Sequence, residues 1–183
     1  LLSEDEAVKI LKDVALALDV LHQNQVLHRD VKPGNLFITK DMTCKLGDLG
    51  ISRRMIDRTA TTTGHVVGTP GYISPEQVLD IRPIDIRSDI YSLGLTLFHA
   101  ITGFNPFSRD TAYDSMLARI QDEEAKLTSG NSGQISDNLR KIINRMIRRR
   151  SSERFASPLM LLSELEKQGL FQSNLPTDRH DQE

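Results

Sequence analysis

The sequence predicts an α+β fold that is mainly helical, with one short β-hairpin set among the helices. Three observations lead there. Several stretches repeat apolar residues at three- and four-residue intervals, the period of a helix buried on one side. One stretch, Leu36 to Leu46, reads instead as strand, turn and strand. From Asp89 onward the chain is apolar on most helical faces, which suits a helix at the centre of a core. A chain of 183 residues suits one domain with a real core, or part of a larger one.

Taken in order, the first element is a helix from Ser3 to Gln23. Ser3 with Glu6 three places on is a capping box, and Ala7, Ile10, Leu11, Val14, Leu18 and Leu21 form one apolar stripe. His22 falls at the helix end, where a solvated or dipole-compensating role is expected. Leu36-Phe37-Ile38 reads as a short buried strand, Lys40 to Thr43 as a turn, and Cys44-Lys45-Leu46 as the hairpin partner. The helix opening at Asp89 continues through Leu95, Leu97, Phe98 and Ile101 and stops at Gly103. Three more helices follow. Asp110 to Lys126 carries Tyr113, Met116, Leu117 and Ile120; Ser136 to Arg148 carries Leu139, Ile142, Ile143, Met146 and Ile147; and Ser157-Pro158 caps a helix with Leu159, Leu162 and Leu165 on one side. Thr128 to Gly133 reads as a flexible loop, and the polar tail at 173–183 as disordered.

Bulk composition excludes several function classes. Twenty-three Lys and Arg stand against 25 Asp and Glu, a net charge of −2 that gives no electrostatic reason to expect a nucleic-acid partner. Arg145 and Arg148-Arg149-Arg150 form a local basic patch, read here as cations at a helix C-terminus. A single cysteine, Cys44, rules out an intrachain disulfide and fits a reducing compartment. No apolar run reaches the roughly 18 residues of a membrane span, since Thr96, His99 and Thr102 break the longest one.

The stretch that carries chemistry is His28-Arg29-Asp30-Val31-Lys32-Pro33-Gly34-Asn35, with Asp48-Leu49-Gly50 thirteen residues beyond Asn35. Together they closely resemble the catalytic loop and metal-binding triplet of the eukaryotic-type Ser/Thr protein kinases. The resemblance implies Asp30 as the carboxylate that orients a hydroxyl and accepts its proton, with Lys32 as the cation beside the transferred phosphate. It implies Asn35 and Asp48 as oxygen ligands of Mg²⁺, and Lys32, Asn35, Phe37 and Asp48 as the ATP-contacting set, Phe37 lying beneath the base. A plain core-filling role for Phe37 stays open. Leu49 in the middle of the triplet, where Phe is commoner, is expected to pack in the apolar interior.

Residues 51–67 are polar and loop-like, and the resemblance makes them the activation segment. Its cluster Thr59, Thr61, Thr62 and Thr63 is then a set of phosphorylation sites, whose phosphate would pair with Arg29. Gly68-Thr69-Pro70-Gly71-Tyr72-Ile73-Ser74-Pro75-Glu76 resembles the end of that segment. It implies that Thr69 hydrogen-bonds with Asp30 and Lys32, and that Glu76 pairs structurally with Arg154. Thr69 with Lys32 and Pro33 favours Ser/Thr over Tyr specificity. Asp89 has two readings: acceptor of backbone N–H groups from the catalytic loop, as in kinases, or an ordinary N-cap.

The resemblance covers the helical larger lobe, residues 1–172, and points loosely to bacterial members of the family. No Gly-rich phosphate loop and no Val-Ala-x-Lys strand is present. The expectation is therefore a fragment whose missing smaller lobe lies upstream, with ATP bound weakly by this stretch alone. Expected partners are ATP, Mg²⁺ and a protein Ser/Thr substrate, in the cytoplasm or the cytoplasmic part of a membrane-anchored parent. The competing reading is a pseudokinase, a scaffold lobe acting by protein binding. Retention of Asp30, Lys32, Asn35 and Asp48 argues against it.

Overall fold

The computed structural model describes residues 1–49, 71–79, 81, 83–121, 125–133 and 135–172. Within them the expected α+β architecture is present: a bundle of helices with a two-stranded sheet packed on the first of them. Helix α1 spans Glu4–Gln23, and its capping box forms as expected, Ser3 accepting from the Glu6 amide while Glu6 reaches back to the Ser3 N–H at 2.8 Å. Five stripe residues of α1 are buried and Leu21 partly so. Strands β1 (Leu36–Ile38) and β2 (Cys44–Leu46) pair antiparallel, with Phe37 opposite Lys45. The hairpin is held to α1 by the Asp13 carboxylate, which accepts the Cys44 N–H at 2.8 Å.

A short helix, α2 (Pro75–Val78), is capped by buried Ser74. The long helix α3 (Arg87–Thr102) is the axis of the fold. Its residues 88 to 98 are all buried, so no face is left for water. Polar members of that run satisfy themselves within the helix: Ser92 donates to the Ser88 carbonyl at 3.0 Å and Thr96 to the Ser92 carbonyl at 2.8 Å. Helix α3 packs on α1 and on α5 (Asp137–Met146), while α6 (Pro158–Lys167) packs on α1 and α5. The α3–α5 approach depends on Gly94, where an added Cβ would lie 2.7 Å from the Met146 Cβ. None of the described helices is long and apolar enough to cross a membrane.

Several expectations are corrected. Strand β1 is not buried: Phe37 and Ile38 are 58% and 47% exposed, because the hairpin packs on α1 through Cys44 and β2. Helix α4 is shorter than expected (Ala112–Gln121), and Ser115, Ala118 and Arg119 form its buried face while Tyr113 is exposed. On α6 it is Leu161, not Leu159, that joins Leu162 and Leu165 inside. The stretch from Thr128 to Gly133 is a stitched turn. Ser132 is buried and donates to the Thr128 carbonyl at 2.6 Å, while Asn144 grips the backbone of Leu127 from both sides, at 2.7 and 2.9 Å. The activation segment, including Thr59 to Thr63 and Thr69, and the tail lie outside the described residues.

The expected pair of Glu76 and Arg154 forms, as a bidentate fork. Arg154 Nη1 and Nη2 reach the two Glu76 oxygens at 2.7 and 2.9 Å, with the Arg side chain fully buried and the Glu side chain 12% exposed. Every remaining Arg154 donor is used: Nε on the Arg148 carbonyl, Nη1 also on that of Arg87, Nη2 also on that of Arg149. The guanidinium lies 4.6 Å from the Tyr91 ring centroid, and Ser88 donates to Glu76 at 2.7 Å. Burial pushes the Glu76 carboxyl up, but the bonds and charge of Arg154 and the Ser88 hydroxyl outweigh it, so its pKa ends below the ordinary glutamate value. This contribution to stability is therefore complete above the ordinary glutamate range and lost as pH falls below it.

Burial sets the expected cost of changing either of two arginine sites. Glu76→Ala strands a fully buried guanidinium and should cost about 3–5 kcal/mol in a urea unfolding titration; a loss below about 1 kcal/mol would show the pair to be dispensable. Arg119 is the opposite case. It is 2% exposed, donates to the Ser115 carbonyl at 3.0 Å, lies over Phe107 and faces the buried Tyr91 hydroxyl, but its Nε and Nη2 make no hydrogen bond of good geometry among the described residues. Arg119→Met removes these poorly met donors together with the contact to Tyr91, and should therefore cost less than Glu76→Ala in the same titration; an equal or larger cost refutes the idea.

Candidate active site

The loop from His28 to Asn35 is suspended from α3 by one carboxylate. Asp89, fully buried in the first turn of α3, accepts the backbone N–H of His28 at 2.8 Å and of Arg29 at 2.7 Å. The N-cap of α3 is Ile86, so of the two readings of Asp89 the loop anchor is the one realised. Burial pushes the Asp89 carboxyl up in pKa, and the two N–H groups pull against that shift.

His28, to which sequence reading gives no role, is the second fixed point. Its ring is fully buried, with Nε2 3.0 Å from the Gly47 carbonyl and Nδ1 3.3 Å from the Asp30 amide. A carbonyl only accepts and an amide N–H only donates, so Nε2 carries the proton and Nδ1 accepts. The ring thereby ties the loop to the chain just before Asp48. The one signal for this in the sequence is the adjacency of His28 to Arg29 and Asp30.

Between these anchors the loop is bent. Arg29 has φ 64° and Asp48 φ 56°, left-handed values that cost a non-glycine residue about 1–2 kcal/mol. The bend turns three side chains toward one another. Lys32 Nζ lies 2.9 Å from Asp30 Oδ2, and Asn35 Nδ2 donates to the Asp30 carbonyl at 2.8 Å and to Oδ2 at 3.2 Å. Asn35 is 5% exposed, and the short helix Pro33–Asn35 that carries it begins with a proline, whose fixed φ suits a first turn.

Asp48 is brought in by the backbone. The Gly47 amide donates to the Asn35 carbonyl at 2.9 Å while the Gly47 carbonyl meets His28, so Asp48 follows a residue tied twice to the loop. Its side chain is exposed. Gly47 also leaves room for the Phe37 ring, since a Cβ there would lie 2.4 Å from Phe37 Cε2 and the ring would have to swing away. Phe37 is therefore on the open face beside Asp48, and it does not fill the core. Leu49 is 42% exposed, against the expected interior packing, because the chain leaves the hairpin through the left-handed turn at Asp48.

The donor set fits Mg²⁺. Asn35 spends its N–H₂ on Asp30, which leaves Oδ1 as a neutral oxygen ligand, and Asp48 adds a carboxylate. Among the described residues no three His, Cys, Asp or Glu side chains gather as a metal cage. One amide and one carboxylate suit a hard cation that takes its other ligands from phosphate and water.

Comparison with known proteins agrees with this geometry. The model of the protein kinase domain matches residues 1–165. A probable serine/threonine-protein kinase of Clostridium acetobutylicum is 39% identical over 152 residues, which cover 83% of this chain and 23% of that protein. The serine/threonine-protein kinases PksC of Streptomyces coelicolor and PknB of Mycobacterium leprae are 38% and 33% identical, over 84% and 87% of this chain and 28% and 26% of their own lengths. The chain thus spans about a quarter of the curated relatives it matches.

Asp89→Ala should leave the His28 and Arg29 amides without an acceptor at a cost of about 2–6 kcal/mol, since each stranded buried donor costs about 1–3 kcal/mol. Hydrogen exchange reads this directly. Both amides should lose protection before α3 opens, and unchanged protection would show that Asp89 does not hold the loop.

Proposed function

The chain belongs to the protein kinase family, and from that premise we propose that it is the larger lobe of a Ser/Thr kinase catalytic region. In this reading it transfers the γ-phosphoryl group of ATP to protein hydroxyls. One observation carries the proposal: Asp30, Lys32 and Asn35 converge within 3.2 Å, with the backbone before Asp48 tied to the same loop.

Each residue then has a chemical role. The Asp30 carboxylate accepts the proton of the attacking Ser or Thr hydroxyl as the new O–P bond forms and the bond to the ADP oxygen breaks. Lys32, already 2.9 Å from Asp30, holds a phosphate oxygen beside it. Asn35 Oδ1 and the Asp48 carboxylate would hold Mg²⁺, which when bound would supply charge neutralisation for the phosphates. Phe37, exposed across Gly47, offers an apolar platform for the base. Thr69 is assigned by family resemblance alone to bond with Asp30 and Lys32.

The exposed apolar side chains of Phe37, beside Gly47, and Leu49 support a further part of the proposal: an upstream smaller lobe, with its own phosphate-binding loop, covers them and completes the cleft. The scaffold alternative has no comparable support, because all four residues that the chemistry needs are present and three of them, Asp30, Lys32 and Asn35, meet.

Phosphate transfer from labelled ATP tests the proposal, on protein extended upstream to include the smaller lobe. Activity should require Mg²⁺ or Mn²⁺ and fall about 10²–10⁴-fold in Asp30→Asn, with the label mapping to Thr59–Thr63 in autophosphorylation. Transfer that survives Asp30→Asn would remove Asp30 from its assigned role. A folded protein without any transfer would favour the scaffold.

A further inference from the structure

The basic residues near the end of α5 are only partly explained by the helix end. Arg145 lies in its last turn, as expected, but the structure adds a cavity of about 550 Å³ lined by Ala125, Lys126, Lys141, Asn144, Arg145, Arg148 and Glu153. Four cations and one carboxylate thus face one space, and none of them belongs to the 28–48 site. Lys126 Nζ, Lys141 Nζ and the Arg145 N–H groups make no hydrogen bond or ion pair among the described residues. The cavity is built rather than loose. Asn144 clamps the backbone of Leu127 through both its oxygen and its nitrogen, fixing the wall that carries Lys126. The Arg145 guanidinium is laid over the Phe155 ring, 4.2 Å from its centroid, which holds it in place and leaves its N–H edges for a ligand.

We propose that this cavity is a docking site for a phosphorylated segment of a polypeptide. Lys126, Lys141 and Arg145 around one space repel one another, and a dianion with three strong acceptor oxygens answers all of them at once. An oriented guanidinium with flanking ammonium groups is the donor set that such a group takes. The volume suits one modified side chain with its neighbours rather than a folded partner. A nucleic acid fits less well: the charge is confined to one cavity instead of following a backbone, no aromatic ring lines it for stacking, and the chain is net −2. The proposal rests on the kinase reading only for the source of the ligand, since phosphorylated protein is what such an enzyme makes.

Fluorescence anisotropy tests it on the full chain carrying Asp30→Asn, so that binding is read without catalysis and a failed kinase reading leaves the result intact. The probes are a labelled phosphothreonine peptide, the same peptide unphosphorylated, inorganic phosphate as competitor, and a single-stranded oligonucleotide. The phosphopeptide should bind about tenfold or more tightly than its unphosphorylated form and weaken with salt. Lys126→Gln combined with Lys141→Gln, both exposed positions, should weaken it about tenfold with an unchanged thermal melt. Glu153→Gln should tighten it, a sign opposite to the lysine changes. Equal binding of the two peptides, or no effect of the lysine changes, overturns the proposal. So does tighter binding of the oligonucleotide, and so does inorganic phosphate as strong as the phosphopeptide, which would make this a small-anion site.

Discussion

The hydrogen bonds from the His28 and Arg29 amides to the Asp89 carboxylate join the rigid part of the molecule to the part that carries chemistry. Helix α3 is buried on all sides from residue 88 to 98, so it has little freedom to shift. A carboxylate fixed in its first turn passes that rigidity to a loop that forms no sheet or long helix of its own. The loop can then keep Arg29 in a left-handed conformation that would relax if it were free. Asp30, Lys32 and Asn35 meet because the backbone on both sides of them is already held. Desolvating Asp89 is costly, and its two short bonds to N–H groups are what make the burial tolerable.

A second buried ion performs the same service lower in the fold. Arg154 gathers Glu76 and the carbonyls of Arg87, Arg148 and Arg149 around one guanidinium, so four chain segments share one hub. Gly71 and Tyr72 are held to α3 and the turn that follows it: Tyr72 bonds His99 at 2.6 Å, and Asn105 donates to the Gly71 carbonyl at 2.6 Å.

The two strands of the hairpin divide the labour. Cys44 is buried against α1, and burial pushes its thiol up to about 11, which keeps it protonated and inert as packing. Phe37, on the other strand, stays open where a ligand and a covering lobe would meet it. An exposed aromatic ring resting on a glycine is a poor use of apolar surface for stability alone. It makes sense as surface kept available for binding.

Much of this was legible from residue order. The capping box of Ser3 and Glu6, the two strands of the hairpin with their turn, and the stop at Gly103 are set by neighbours a few positions apart, so local sequence carries them. The run from His28 to Asn35 with Asp48 beyond it pointed to the proposed chemistry for the same reason: phosphoryl transfer needs such groups close together, and a short loop is the simplest way to supply them. Local pattern misjudged what depends on the neighbours an element meets. It put β1 and Leu49 inside, gave α4 the wrong buried face, chose Leu159 over Leu161, and gave His28 no role. It also read Arg145 to Arg150 as a helix end, with no means of seeing Lys126 and Lys141 arrive at the same cavity. Sequence by itself determined which groups are present and the period of each element, because these are properties of a few bonded neighbours. Only the tertiary structure decided which groups are buried, paired or left open, because burial and pairing depend on segments such as 76 and 154, or 28 and 89, that meet only when the chain has folded.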